Sequence, residues 1–345
     1  MLSQLISSES IKSVKSILRD AKKVVITAHI SPDGDAVGSA LGLRLFLSLL
    51  DIQATVVFPN SAPTFLDWMS GAKEAYTYDE QQAEVATLFE EADVLFAVDY
   101  NAPSRIGPLA ERFIGSSAKK ILLDHHPYPE DFCDVTMSHP ELSSTAELLF
   151  RFITQMGYYP ELTTEIASCI YTGMMTDTGS FTYNSNSPEI YFIIAQLLSK
   201  GIDKDAIYRC VNNTYTESRM RLQGLMLQTM KTYPSSHATL LLLTKEQQET
   251  YHMQKGDSEG FVNMPLAMSG MKMTCLMKEG DDDQIKISLR SVGDIPVNEI
   301  SSKYFNGGGH KNAAGGEYRG SLKSCIEKFE EALREYKPLL TSKKA

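Results

Sequence analysis

A chain of 345 residues exceeds what one ordinary core fills, since single cores stop growing at roughly 250 to 300 residues, and it suits two domains. Its 43% hydrophobic and 22% charged composition excludes a disordered polymer, and a formal net charge of −10 argues against a broad basic surface for gripping long duplex nucleic acid. Five scattered cysteines without paired spacing read as reduced thiols of a cytoplasmic protein, and the most apolar stretch, LGLRLFLSLL, is broken by Arg44, so neither secretion nor membrane spanning is expected.

In chain order, the spacing predicts strands over Val24–Ala28, Ala54–Phe58, Val94–Val98 and Lys120–Leu123. Between and after them, helix-period segments cover Ala36–Leu50, Gln81–Glu91 and Ser144–Gln155. This alternation predicts an α/β fold with a mainly parallel, doubly wound sheet. From Glu161 to about Tyr233 the periodicity is helical, and Thr216–Met230 reads as a long helix stopped before Pro234. Beyond it, Ala238–Leu243, Met273–Met277 and Gln284–Leu289 read as strands and Leu322–Tyr336 as an amphipathic helix, a smaller α+β domain. The expected division is residues 1–215, a helical linker 216–235, and 236–345.

The polar residues that could carry chemistry follow the apolar runs. His29 follows VVITA, Asp99 follows VLFAV, and Asp124, His125 and His126 follow KKILL. The carboxyl ends of parallel strands share one edge, where open α/β sheets bind ligands. Asp33 and Asp35 sit in the tight turn after His29, and Asp177 lies in TGMMTDTGSF; Asp33 is equally suited to capping the following helix. Imidazole and carboxylate donors without thiolate favour Mn²⁺ or Mg²⁺, with Co²⁺ or Zn²⁺ as options. Two such ions can activate a water and clamp the oxygens of an in-line displacement at phosphorus, which is phosphoester hydrolysis by metal-bound hydroxide. In the second half, Gly307, Gly308 and Gly309 could turn their amides toward an anion beside His310, and Arg290 could clamp a phosphate. His139, His237 and His252 read as surface or structural groups, and Met271, Met273, Cys275 and Met277 as core filling.

The motifs HISPDGD, AVD, LLDHH and TDTGSF, followed by SLRS and GGGHKNAAGG, resemble the DHH phosphoesterase superfamily with its DHH-associated C-terminal domain. The resemblance implies that His29, Asp33 and Asp99 bind one metal and Asp35, Asp99, His125 and Asp177 the other, with Asp99 bridging. It further implies that Asp124 orients an imidazole, that His126 faces the substrate phosphate, and that Arg290, Gly307, Gly308, Gly309 and His310 bind substrate. Within the superfamily the chain looks like the stand-alone nano-RNase and pAp-phosphatase branch. Such an enzyme would cleave short RNA oligonucleotides to mononucleotides and convert 3′-phosphoadenosine 5′-phosphate to AMP with two divalent cations, most simply Mn²⁺, with a homodimer as one option for its assembly and with no membrane partner. The alternatives are a cyclic di-AMP or pApA phosphodiesterase and a non-catalytic nucleotide-binding regulator.

Overall fold

The structure, a computed structural model, describes residues 2–254 and 256–342. The chain divides into two compact units between Thr214 and Tyr215.

The first unit is built on six strands: β1 (Lys23–Thr27), β2 (Gln53–Phe58), β3 (Tyr76–Thr77), β4 (Val94–Val98), β5 (Lys119–Asp124) and β6 (Val135–Ser138). They lie in the order β3-β2-β1-β4-β5-β6 and every pairing is parallel. This is a doubly wound sheet whose order reverses beside β1, between its neighbours β2 and β4. Its central strands are apolar on both faces because both are covered. Ile26, Phe96, Val98, Ile121 and Leu123 pack into one core, with residues of α1 (Ser8–Asp20), α2 (Gly34–Ser48), α5 (Thr145–Met156) and α6 (Thr164–Asp177). Val25, Leu95, Ala97 and Leu122 pack into the opposite core, with α3 (Gln82–Glu91) and α4 (Leu109–Gly115). The unit ends with α7 (Pro188–Ser199) and α8 (Lys204–Asn212).

Helices α2 and α6 approach so closely that only glycine fits between them. A β-carbon on Gly38 would sit 2.5 Å from the Cys169 carbonyl oxygen, and one on Gly173 would sit 2.7 Å from Asp35 Oδ1. That approach carries Asp35, near the start of α2, toward Asp177, the last residue of α6. The alternation of strands and helices and the parallel sheet agree with the sequence; β3, β6, α1 and α4 are additional. The first two are short strands at the sheet's ends.

In the second unit the order is α9 (Glu217–Thr229), β7 (Lys231–Tyr233), β8 (Ala238–Leu243), α10 (Lys245–Thr250), β9 (Met273–Glu279), β10 (Gln284–Ser291), α11 (Val297–Phe305), β11 (Gly308–His310), β12 (Ala313–Arg319) and α12 (Leu322–Glu335). The sheet runs β11-β12-β10-β9-β8-β7, antiparallel except between β8 and β9. One face packs Met273, Cys275, Met277, Ile285, Ile287 and Leu289 against α11 and α12. The segment expected as a helical linker is instead part of this unit. Leu222 and Met226 of α9 are buried against Leu241, Leu243, Phe261 and Leu276, and the helical run ends before β7, which pairs with β8.

Candidate metal centre

The loop after β1 is held from both sides. Ile30 N–H donates to the Arg105 carbonyl at 2.8 Å, beyond β4, and Ser31 N–H donates to Asn60 Oδ1 at 2.7 Å, beyond β2. The loop's position at the sheet's switch therefore fixes where His29 stands. Asp33 then does two things. Its Oδ1 accepts the amides of Asp35 and Ala36 at 3.0 and 3.1 Å, capping α2, while Oδ2 lies 3.8 Å from His29 Nε2. The capping and cluster readings of Asp33 hold together because the two oxygens divide the work.

Asp99 directly follows β4 with a φ of 63°, a left-handed conformation that few residues other than glycine visit but that Asp tolerates. Its carboxylate is almost fully buried and faces two ways. Oδ2 lies 3.5 Å from His29 Nε2, and Oδ1 lies 3.8 Å from His125 Nε2. His125 Nε2 is also 3.9 Å from Asp35 Oδ2 and 3.5 Å from Asp177 Oδ2. Donor atoms of His29, Asp33 and Asp99 lie within 4.8 Å of one another, as do those of Asp35, His125 and Asp177. Two groups thus meet at Asp99.

The other nitrogen of each imidazole is held by a carbonyl: His29 Nδ1 by Ile30 at 2.9 Å and His125 Nδ1 by Leu142 at 3.3 Å. That leaves both Nε2 atoms for the cluster. Asp124 orients His126, whose Nδ1 lies 2.8 Å from Asp124 Oδ1; the fully buried Oδ2 of Asp124 has no hydrogen-bond partner among the described residues. His126 Nδ1 is also 3.8 Å from Asp99 Oδ1, and His126 forms a third donor group with Asp99 and His125.

The expected helix from Ser144 is present as α5, but its start also has a part in the site that the sequence reading missed. Thr145 and Ala146 amides donate to the Asp35 carboxylate at 2.7 and 2.9 Å, and Thr145 Oγ1 donates to Asp99 Oδ1 at 2.7 Å. Ser144, whose hydroxyl accepts the Glu147 amide, is the cap. The signal was legible in SSTAE: a helix start with free amides is a carboxylate cradle.

Crowded carboxylates distort proton affinities. Burial would lower His29, but the hydrogen bond to Asp99 and the charges of Asp99 and Asp33 outweigh it and push its pKa up to about 9. Burial would raise Asp99, yet His29, His125 and His126 hold it well below the usual carboxylate range. Burial, together with Asp99, Asp177 and Asp33, raises Asp35 far above that range. Burial, opposed by His125 and reinforced by Asp99 and Asp33, brings Asp177 to about 7. His126 is raised, its burial outweighed by Asp124 and Asp99. The carboxylates of Asp33, Asp35, Asp99 and Asp177, packed around the imidazoles of His29, His125 and His126, are short of positive charge, and their oxygen and nitrogen donors fit hard divalent cations.

In the second unit the glycine run forms no open turn. Gly308, Gly309 and His310 pair with Gly315, Ala314 and Ala313 as the edge strand β11, and the Gly307 amide donates to the Ser301 carbonyl. The glycines are there for close approach: a β-carbon on Gly309 would lie 2.6 Å from the Ala313 carbonyl oxygen, whereas Gly308 has open space. Arg290 pairs with Ala313 on the other side, so Arg290, Ala313 and His310 form one cross-strand row on one face of the sheet. The row continues through Thr274 to Thr239, both buried with hydroxyls lacking a hydrogen-bond partner among the described residues. His139 and His237 stand apart from the cluster, bonded to Glu141 and the Gly270 carbonyl.

Fold and cluster define a class: a two-domain α/β protein with a preassembled His/Asp centre at the switch point of its parallel sheet. Residues 23–174 match the DHH family N-terminal domain and residues 244–340 the DHHA1 domain. The chain belongs to the DHH family. It is 31% identical over 330 residues to the bifunctional oligoribonuclease and PAP phosphatase NrnA of Thermus thermophilus, covering 95% of this chain and 94% of that protein. Among solved structures it superposes at a TM-score of 0.97 and 51% identity on an exopolyphosphatase-related protein from Bacteroides fragilis, covering 99% of this chain and 100% of that one. RecJ of Thermus thermophilus in complex with Mn²⁺ shares the fold, with a TM-score of 0.58 at 16% identity over 98% of this chain and 56% of RecJ. No helix among the described residues is long and apolar enough to cross a membrane.

Proposed function

We propose that the protein is a metal-dependent phosphoesterase that hydrolyses short oligoribonucleotides to mononucleotides and 3′-phosphoadenosine 5′-phosphate to AMP. The observation that carries this reading is the two-faced Asp99 carboxylate between two donor groups, in a chain related along almost its whole length to an oligoribonuclease and PAP phosphatase. His29, Asp33 and Asp99 would hold one divalent cation and Asp35, Asp99, His125 and Asp177 a second, with Mn²⁺ the expected ion. Bound there, the cations supply an activated water and charge on the phosphoryl oxygens.

The chain's own part is positioning and proton handling. Asp99 and Asp35 are fixed by Thr145, so their oxygens need no reorganisation. Asp124 fixes the His126 tautomer and, with Asp99, raises its pKa; His126 can thereby hold a proton on Nε2 for the substrate phosphate or the leaving oxygen. The second unit, residues 236–345 with α9, would bind substrate through Arg290 and His310 on their shared sheet face, with Gly307, Gly308 and Gly309 giving the edge strand its shape. A cytoplasmic enzyme is in line with the five free cysteines.

The test is a substrate panel with Mn²⁺ and with Mg²⁺: pAp, RNA of two to several nucleotides, cyclic di-AMP and polyphosphate, each repeated with a chelator. Turnover dominated by pAp and the shortest RNAs, and abolished by chelation, is expected. Dominant cleavage of cyclic di-AMP or polyphosphate overturns the assignment, and affinity without hydrolysis of any phosphoester would make the protein a regulator.

A further inference from the structure

Tyr128 is 91% exposed, more than any other large hydrophobic side chain among the described residues; Tyr183 follows at 60%. It stands two residues past His126, so the two α-carbons are at most about 7 Å apart. Its backbone has a φ of 59°, a conformation bulky residues rarely adopt. The loop around it is nevertheless held firmly. Asn101, two residues beyond Asp99, donates its side-chain N–H to the Pro127 carbonyl at 2.7 Å and accepts the Glu130 amide through its own carbonyl at 2.8 Å. The two bonds bracket Tyr128, so the segment is clamped to the same strand end that presents the central carboxylate. An exposed ring in a strained, clamped loop is not explained by packing, and strain held in place beside a site is a reason to look for a ligand.

Resting on the nucleotide reading above, we propose that Tyr128 is the stacking platform for the nucleobase of the nucleotide whose phosphate lies at the His/Asp cluster. A tyrosine offers a flat face and loses little rotational freedom when a base settles on it. Stacking does not discriminate strongly among bases, because every base has a π-face. The ring would therefore grip short RNAs of any sequence by their base while the cluster takes the phosphate, which makes Tyr128 a specificity residue for nucleotides over base-free phosphoesters.

The experiment compares wild type, Y128A, Y128F and Y128W, all loaded with Mn²⁺, on a diadenosine RNA and on the same dinucleotide with abasic riboses. A parallel equilibrium titration uses AMP and ribose 5-phosphate. Expected for Y128A is a loss of about tenfold in KM and in AMP affinity, within the range of one base–aromatic stack, with kcat nearly unchanged. Y128F and Y128W should stay near wild type, and all four proteins should treat the abasic substrate and ribose 5-phosphate alike. An equal loss on abasic and adenine substrates, or no loss on either, overturns the proposal. If the wild type hydrolyses neither dinucleotide, the proposed function fails; the AMP and ribose 5-phosphate titration still decides whether the ring stacks on a base.

Discussion

Thr145 shows how much of the site depends on residues that hold no cation. Its amide and its hydroxyl fix two different carboxylates, Asp35 and Asp99, from the first turn of one helix. Thr145→Val keeps the shape and the amide but removes the bond to Asp99. Outer partners of this kind are worth roughly 10 to 100-fold in metal affinity or activity, and a loss of that size is expected by metal titration and steady-state rates. The same cluster predicts proton release. At pH 7 His29, raised to about 9, is protonated, and Asp177, near 7, is partly so, with Asp35 also raised. A cation can use these atoms only after the protons leave. Metal uptake at pH 7 should therefore expel at least one proton, from His29, with further release from Asp177 and Asp35, and apparent affinity should climb as pH rises toward about 9. Calorimetry in two buffers of different ionisation enthalpy reads this directly; a binding heat independent of buffer would contradict the arrangement.

Among the elements, the pairing of α2 with α6 has the narrowest tolerance. Gly38 faces the Cys169 carbonyl oxygen and the Gly173 amide nitrogen, and a methyl group there must push the helices apart. Overpacking of this kind costs about 1–3 kcal/mol, so Gly38→Ala should lower the denaturation midpoint accordingly. It should also weaken metal binding, since Asp35 and Asp177 ride on the two helices being separated. A variant that loses stability but keeps full metal affinity would show that the cluster does not depend on this contact.

On the scale of the whole molecule, the cluster concentrates charge that a cation would neutralise. Saturation at 100 times the dissociation constant adds about 2.7 kcal/mol per site, which for a unit of this size raises the unfolding midpoint by roughly 5–10 °C. Scanning calorimetry with Mn²⁺ and with a chelator should show that difference in the transition of the unit containing His29 to Asp177. Much of this plan was legible in the chain because the candidate site follows strand ends: VVITA, VLFAV and the ILL of KKILL are buried, and the polar residue after each must emerge at one edge. What escaped was set by tertiary neighbours. Tyr76–Thr77 is too short to carry a period. The glycine run reads as a turn until its pairing with Ala313–Gly315 makes it a strand. Met220 and Leu227, exposed on α9, hide the buried Leu222 and Met226 that tie the helix to its unit. Nor does spacing say that one oxygen of Asp33 caps while the other faces His29.

The left-handed backbone at Asp99 narrows what can replace it. A ligand shared by two cations, the role proposed for Asp99, must be a carboxylate, and the strand-end turn favours the short side chains that tolerate that geometry, so the alphabet at this position shrinks to one letter that satisfies both demands. Asparagine would keep the turn and surrender the charge; glutamate would keep the charge and resist the turn. For the experimenter, the first of these is the natural decoy: a folded enzyme in which bound substrates could be trapped and seen.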